Sequence, residues 1–306
     1  MRKNLAIMSI LVLALFALGG CSWFAGPQQA DPIFLADDFG RKITLEEPAE
    51  RIISLVPSST EILFALGVGD RVVGASDFCN YPEEALAITR VGGFDVPNLE
   101  LIVSLEPDLV LAASLHKETV EALEGMDIPV LALDPQNIEE IYANIELVAK
   151  AVGKKEAGET LIKDMQERLA NVASALAGLT EVERPVVFYE VWYPGVYTAG
   201  EDTFIEIITL AGGKNLAWGI SRWNNIQEEE ILARNPDIII HGYTEEVLRD
   251  PDTLVHFFGR EGWEVITAVS EDKIYFVNPD ITSRTGPRIV EAVEEIARML
   301  HPDKFQ

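Results

Sequence analysis

Asn98-Leu99-Glu100-Leu101-Ile102-Val103-Ser104-Leu105-Glu106-Pro107-Asp108-Leu109-Val110-Leu111 returns 129 residues later as Gln227-Glu228-Glu229-Glu230-Ile231-Leu232-Ala233-Arg234-Asn235-Pro236-Asp237-Ile238-Ile239-Ile240. Each copy reads as a helix, a Pro-Asp break, and an apolar run that suits a strand buried in a parallel sheet. The fixed offset sets Glu100 on Glu229. Two further pairs keep the same order, so the chain is an internal repeat. Ser59–Gly67 matches Asp202–Gly212; both read as short helices that open on a capping-type residue and stop at glycine. Ser58 and Glu61 have the spacing of a capping box. Val130–Pro135 matches Ile274–Pro279, and a helix follows each, at about Ile138–Ala151 and about Pro287–Leu300. Further strands are predicted at Arg51–Leu55, Val72–Ala75 and Val186–Val191.

Between the halves lies Lys155 to Leu176, where Leu161, Met165, Leu169, Val172 and Leu176 recur at helical spacing and proline is absent. At 1.5 Å per residue this is one helix about 33 Å long. The predicted fold class is therefore α/β, with two similar lobes of parallel sheet flanked by helices and joined by one long α-helix. The expected organisation is a signal segment at 1–20, a tether at 21–32, an N-terminal lobe at 33–153, the connecting helix at 154–178 and a C-terminal lobe at 179–306.

The chain has 306 residues, 48% of them hydrophobic, with 24 Lys plus Arg against 50 Asp plus Glu and a net charge of −26. That balance supplies no basic footprint for nucleic acid. With 2 cysteines there is no disulfide scaffold or multi-cysteine metal site. Arg2 and Lys3 precede an apolar run from Leu5 to Leu18. It is shorter than the ~20 residues a membrane-spanning helix needs and fits a signal peptide. Leu18-Gly19-Gly20-Cys21 resembles the lipobox of bacterial lipoproteins, which implies a lipid on Cys21 and a body held outside the cytoplasmic membrane.

Two α/β lobes on one long helix, behind such a signal, resemble the helical-backbone solute-binding proteins of ATP-driven importers. The matching segments are Arg51–Glu61, Asn98-Leu99-Glu100, Glu106–Val110 and Gly286-Pro287-Arg288-Ile289. Within that superfamily the chain is most similar to cobalamin-binding members, through Val73–Ser76 with Tyr81-Pro82 and through Tyr197–Glu201. The resemblance implies a corrinoid held between the lobes, with contacts at Phe78, Phe94, Tyr197, Trp223, Asp280 and Arg284. Trp192 and Arg222 are placed at the same cleft by their loops. Ligands are expected outside the carboxyl ends of the strands, where flat aromatic side chains can cover an apolar disc at low entropic cost. The chain departs from the family at Ala113-Ser114, where an aromatic is frequent, and at Arg222, a cation beside Trp223. Arg222 with Arg284 would suit a ferric siderophore or haem propionates. Arg284 equally suits a salt bridge to Asp280 at i, i+4.

Glu100 and Glu229 admit two readings: acids that stabilise a helix start, or a pseudo-symmetric pair that docks onto the permease dimer and its ATPase, as the resemblance implies. The expected partners are that importer, a small-molecule ligand and a lipid bilayer, with the chain a monomer. Gly67-Val68-Gly69 follows a helix, not a strand, so it reads as a turn and not as a dinucleotide loop. The 4 histidines are scattered, so no metal site is expected. His241 reads as a satisfied polar group or as an axial ligand to a bound metal complex. No covalent cofactor other than the lipid is expected. No activated nucleophile is recognisable, and the chain is not expected to be an enzyme. Trp218 and Trp263 read as packing residues, and Cys79 as a buried thiol or a cleft contact.

Overall fold

A computed structural model of the chain describes residues 31–305, apart from 193–196, 201–202, 221–222 and 244–259. The expectations for the signal segment, Cys21 and Arg222 lie outside the described residues, as do the side chains of Trp192, Tyr197 and Trp223. The chain from Ile33 onward packs as one unit.

The first lobe opens with an antiparallel hairpin that the repeat pattern does not predict: β1 (Ile33–Ala36) and β2 (Lys42–Leu45). Leu35, Ile43 and Leu45 alternate inward along it, the period-2 signature of a half-buried sheet. There follow β3 (Ile52–Ser54), α1 (Pro57–Ala65), β4 (Val72–Ala75), α2 (Leu99–Ser104), β5 (Leu109–Ala112), α3 (Lys117–Glu124), β6 (Val130–Ala132) and α4 (Ile138–Ala151). The sheet order is β4-β3-β5-β6, all parallel. α1 starts on Pro57, whose missing N–H is no loss at a helix start, and no side chain caps it. The capping box expected from Ser58 and Glu61 is therefore not formed; Glu61 points elsewhere, as described below. Gly67, at φ +73°, supplies the left-handed residue that ends the helix, so the glycine pair is the turn the sequence indicates.

α5 (Lys155–Ala175) is a single helix of 21 residues, as the spacing predicts. Gly158 allows it to touch α4: a Cβ there would lie 2.6 Å from the Ala149 Cβ.

The second lobe contains β7 (Val186–Trp192), β8 (Tyr197–Ala199), α6 (Thr203–Leu210), β9 (Lys214–Asn215), β10 (Trp223–Asn225), α7 (Glu228–Arg234), β11 (Ile238–Gly242), α8 (Thr267–Ser270), β12 (Ile274–Val277), α9 (Pro279–Ser283) and α10 (Ile289–Leu300). Its sheet runs β10-β8-β7-β11-β12, with β9 also on β7. β7, β9, β11 and β12 are parallel, but β8 and β10 are antiparallel additions at one edge, so this sheet is mixed and not purely parallel. After β12 the chain first makes the short α9 and only then the helix that the repeat predicts.

Successive strand residues serve opposite faces. Ile52, Leu109 and Leu111 of the first sheet, and Val187, Tyr189, Ile238 and Ile240 of the second, join Ile162, Met165, Val172 and Leu176 in and just beyond α5 in one continuous apolar core. Ile53 and Val110 face a separate core under the first sheet, and Phe188 and Ile239 one under the second. The connecting helix thus shares its buried face with both lobes. Arg168 of α5 adds a bidentate pair to Glu294 of α10, both bonds 2.9 Å.

Candidate functional site

All four strands of the first sheet run the same way, so the loops after them gather on one side. With Asp280–Thr285 from the second lobe they enclose a cleft of about 930 Å³. It is lined by Pro57-Ser58 after β3, Phe78 after β4, the 93–96 loop, Ala113–Leu115 after β5 and Asp134-Pro135 after β6. This is the carboxyl-end crevice expected of parallel α/β sheets.

One wall is aromatic. Phe78 and Phe94 meet edge to face at 6.3 Å, and Phe94 meets the His116 ring at 5.9 Å. Phe78 is 57% exposed, an apolar ring left facing the cleft by the protein itself. Ala113 and Ser114 also line it, and their small side chains leave room at that point.

The other wall is formed by Asp280, Ser283, Arg284 and Thr285, and Asp280 and Arg284 belong to an ionic cluster that continues behind it across the two lobes. Arg284 Nη2 lies 2.7 Å from Asp280, one helical turn earlier, and its Nη1 lies 3.0 Å from Glu61 of α1. Arg288 binds the same carboxylate twice, at 2.9 and 2.6 Å, and its guanidinium stacks 3.8 Å over the Tyr81 ring. Asn80 of the first lobe donates to Asp280 at 3.2 Å. Of the two sequence readings of Arg284, the geometry contains the Asp280 pair, and adds Glu61, which sequence reasoning missed. The available signal was an acid inside an apolar helix, a residue type almost never buried unless paired.

A family model described as periplasmic binding protein matches residues 52–281. The chain belongs to the periplasmic binding protein family. It is a substrate-binding protein of the ABC transporter type and not an enzyme. It is 33% identical, over the whole of both chains, to the ABC transporter substrate-binding lipoprotein YvrC of Bacillus subtilis. It is 28% identical to the vitamin B12-binding protein of Photorhabdus laumondii, over 82% of this chain and 88% of that one. The apo structure of the periplasmic heme-binding protein RhuT from Roseiflexus sp. RS-1 superposes with a TM-score of 0.72 at 28% identity, covering 84% of this chain and all of that one.

This periplasmic binding protein brings four of the predicted contacts, Phe78, Phe94, Asp280 and Arg284, to one cleft. Trp192 ends β7 and Tyr197 opens β8, where the two are paired in register, and Trp223 opens β10 opposite Ala199. Those three residues thus lie on three neighbouring strands, β7, β8 and β10, with Trp223 at the other end of β8 from Tyr197. Glu100 and Glu229 each occupy the second position of their helix and are exposed. Asn98, not Glu100, caps α2, accepting from Leu101 N–H. In α7, Glu228 accepts from the Trp263 indole at 3.2 Å and Glu230 pairs with Arg234. Among the described residues neither Glu100 nor Glu229 has an ion-pair partner.

His241 is buried rather than open to the cleft. Its Nδ1 lies 2.8 Å from Glu190, which Arg260 also binds at 2.6 Å. Burial lowers the His241 pKa. Burial also works against the Glu190 charge, but His241 and Arg260 outweigh it and hold the carboxyl below the usual carboxylate range. Trp263 is buried as expected, whereas Trp218, read as a packing residue, is 67% exposed. It sits in the turn after β9, which leaves the ring outside the core. Cys79 is fully buried against Thr60 and Ser76, so it is a packed thiol and not a cleft contact. No helix among the described residues is long and apolar enough to cross a membrane.

Proposed function

We propose that the chain captures a corrinoid, cobalamin, between its lobes and delivers it to an importer permease dimer and its ATPase. The observation that carries this reading is the engagement of Arg284. It is the sole cation among the described cleft-lining residues, and Glu61 and Asp280 already occupy it. An anionic ferric siderophore or a haem propionate needs a cation whose charge is not already neutralised by carboxylates. Asp95 and Asp134 add negative charge to the same lining, which disfavours such ligands further. A large, mostly apolar, uncharged or cationic disc fits an aromatic wall in a cleft at the upper end of the usual ligand-pocket range, roughly 300–1,000 Å³. The vitamin B12-binding relatives support the same ligand.

The alternative, a ferric siderophore or haem, draws support from the similarity to RhuT and from Arg222 in the sequence. In the cobalamin reading Phe78, Phe94, Trp192, Tyr197 and Trp223 cover the disc, Asp280 accepts from its amide fringe, and Arg222 and Arg284 border it. Glu100 and Glu229 dock the two lobes on the permease. Cleavage before Cys21 and its lipidation tether a monomer outside the cytoplasmic membrane, in keeping with the lipoprotein name of YvrC.

The test is a titration of the chain in detergent with cyanocobalamin, followed by tryptophan fluorescence, with a ferric siderophore and haem as parallel titrants. Saturable quenching by cobalamin at submicromolar concentration is expected. Phe94→Ala is expected to weaken it about tenfold, the loss of one aromatic contact of roughly 1 kcal/mol or slightly more. Saturation by the siderophore or haem, with no response to cobalamin, overturns the ligand.

A further inference from the structure

We infer that His116 positions Phe94 in the ligand cleft as a neutral imidazole protonated at Nε2, so that binding weakens when the ring takes a second proton. His116 is 2% exposed and sits in the turn between β5 and α3. The Ala113 N–H donates to Nδ1 at 3.0 Å, so that nitrogen carries a lone pair. Its Nε2 is 2.7 Å from the Phe94 carbonyl, which can only accept, so Nε2 carries the hydrogen. One tautomer of the neutral ring satisfies both partners. The imidazolium satisfies one, since its Nδ1–H would meet the Ala113 N–H donor to donor.

The segment that this bond holds has little else to fix it. Gly92, at φ +108°, turns the chain out of the sheet, and a bridge to Pro97 closes the loop. Among the described residues, the bond from His116 is the one hydrogen bond that Phe94 makes. Through it the loop after β5 sets the height of the Phe94 ring against Phe78. Burial lowers the His116 pKa from its ordinary 6.5, outweighing the Phe94 carbonyl and Asp95, which favour the charged form. Asp95 on the facing loop and Lys117 on His116's own turn are the neighbouring charges. The sign follows: both bonds are present above about pH 6.5, and as pH falls toward the lower value of the folded protein the Ala113 bond is lost and the ring, still donating from Nε2 to the Phe94 carbonyl, is driven from its place and takes that carbonyl with it.

The inference rests on the ligand packing against Phe94, and its first test needs no ligand. Hydrogen exchange of the Ala113 amide, which donates to His116 Nδ1, is measured on the full chain in detergent at about pH 7.5 and about pH 5, corrected for intrinsic rates. Wild type is expected to lose protection at the lower pH. His116→Gln keeps an acceptor for Ala113 and a donor for Phe94 without a titrating ring, so it should keep protection at both. His116→Phe should lack it at both. Cyanocobalamin affinity is expected to fall several-fold between the two pH values in wild type and to stay level in His116→Gln. Equal pH dependence of exchange in wild type and His116→Gln overturns the inference, whatever His116→Phe does to folding. The expected exchange pattern with no cobalamin binding at either pH overturns the ligand and leaves the positioning role standing.

Discussion

Glu61 lies in α1 with its side chain only 2% exposed, between the guanidinium groups of Arg284 and Arg288 from the other lobe. Removing its charge leaves two nearly buried cations, each about 10% exposed, with one of their acids gone. Breaking such a pair is strongly destabilising, typically by 3–5 kcal/mol, because the surviving charge stays desolvated. Glu61→Gln is therefore expected to lower the urea midpoint by an amount equivalent to about 3 kcal/mol at unchanged slope. A change within experimental error would mean that water already reaches the cluster. This pair was not legible in the sequence. Ser58 and Glu61 have capping spacing, and the acid's true partners are more than 220 positions away, where no local pattern reaches. Phe78 and Phe94 were legible because each follows a strand or sits in a glycine-flanked loop, and an aromatic there has no core to enter. Asp280 and Arg284 were legible as a pair for the same local reason that they form one: four residues apart on a helical turn.

The connecting helix was the most legible element, since 21 residues without proline leave little alternative to a helix. Its contact with α4 depends on Gly158, where a side chain would collide with Ala149. Gly158→Val is expected to cost about 1–3 kcal/mol by overpacking, read as a thermal midpoint several degrees lower. The same replacement at the exposed and open Gly178 tests its left-handed backbone instead. At α7 the three consecutive acids are not equivalent, because Glu228 and Glu230 are engaged and Glu229 is not. If Glu229 docks on the permease, Glu229→Ala alone should reduce binding-protein-stimulated ATP hydrolysis and leave cobalamin affinity and the thermal midpoint unchanged. An equal loss from Glu228→Ala would indicate that α7 packing, and not docking, was disturbed. The β1-β2 hairpin and the antiparallel edge of the second sheet escaped the sequence reading for a plain reason. Strands of three or four residues hold at most two periods of alternation, and Trp192, Tyr197 and Trp223 read as loop residues when their partners are unknown.

For the molecule as a whole, two features oppose large movement of the lobes. The apolar core is continuous from the first sheet through α5 to the second, and closing the cleft would have to shear it. The Glu61 cluster pins the lobes together beside the cleft, and Arg168 with Glu294 ties α5 to α10. Internal repetition made the two-lobe plan readable from the sequence, yet the stiffness of the plan comes from contacts between the repeats, which the repeats themselves do not encode. Ligand capture is therefore expected to leave the lobe separation within about 2 Å of its free value, the usual bound for preorganised partners. Spin labels at Glu121→Cys in the first lobe and Glu271→Cys in the second are both exposed, while Cys79 is buried and would not react. Dipolar spectroscopy between them should give one narrow distance distribution whose mean barely shifts on saturation with cobalamin. In Glu61→Gln the distribution should broaden before any ligand is added, because the core alone then sets the angle. A shift well beyond about 2 Å in the unaltered background would mean that α5 bends, and that the ionic cluster is a latch released by ligand rather than a fixed pin.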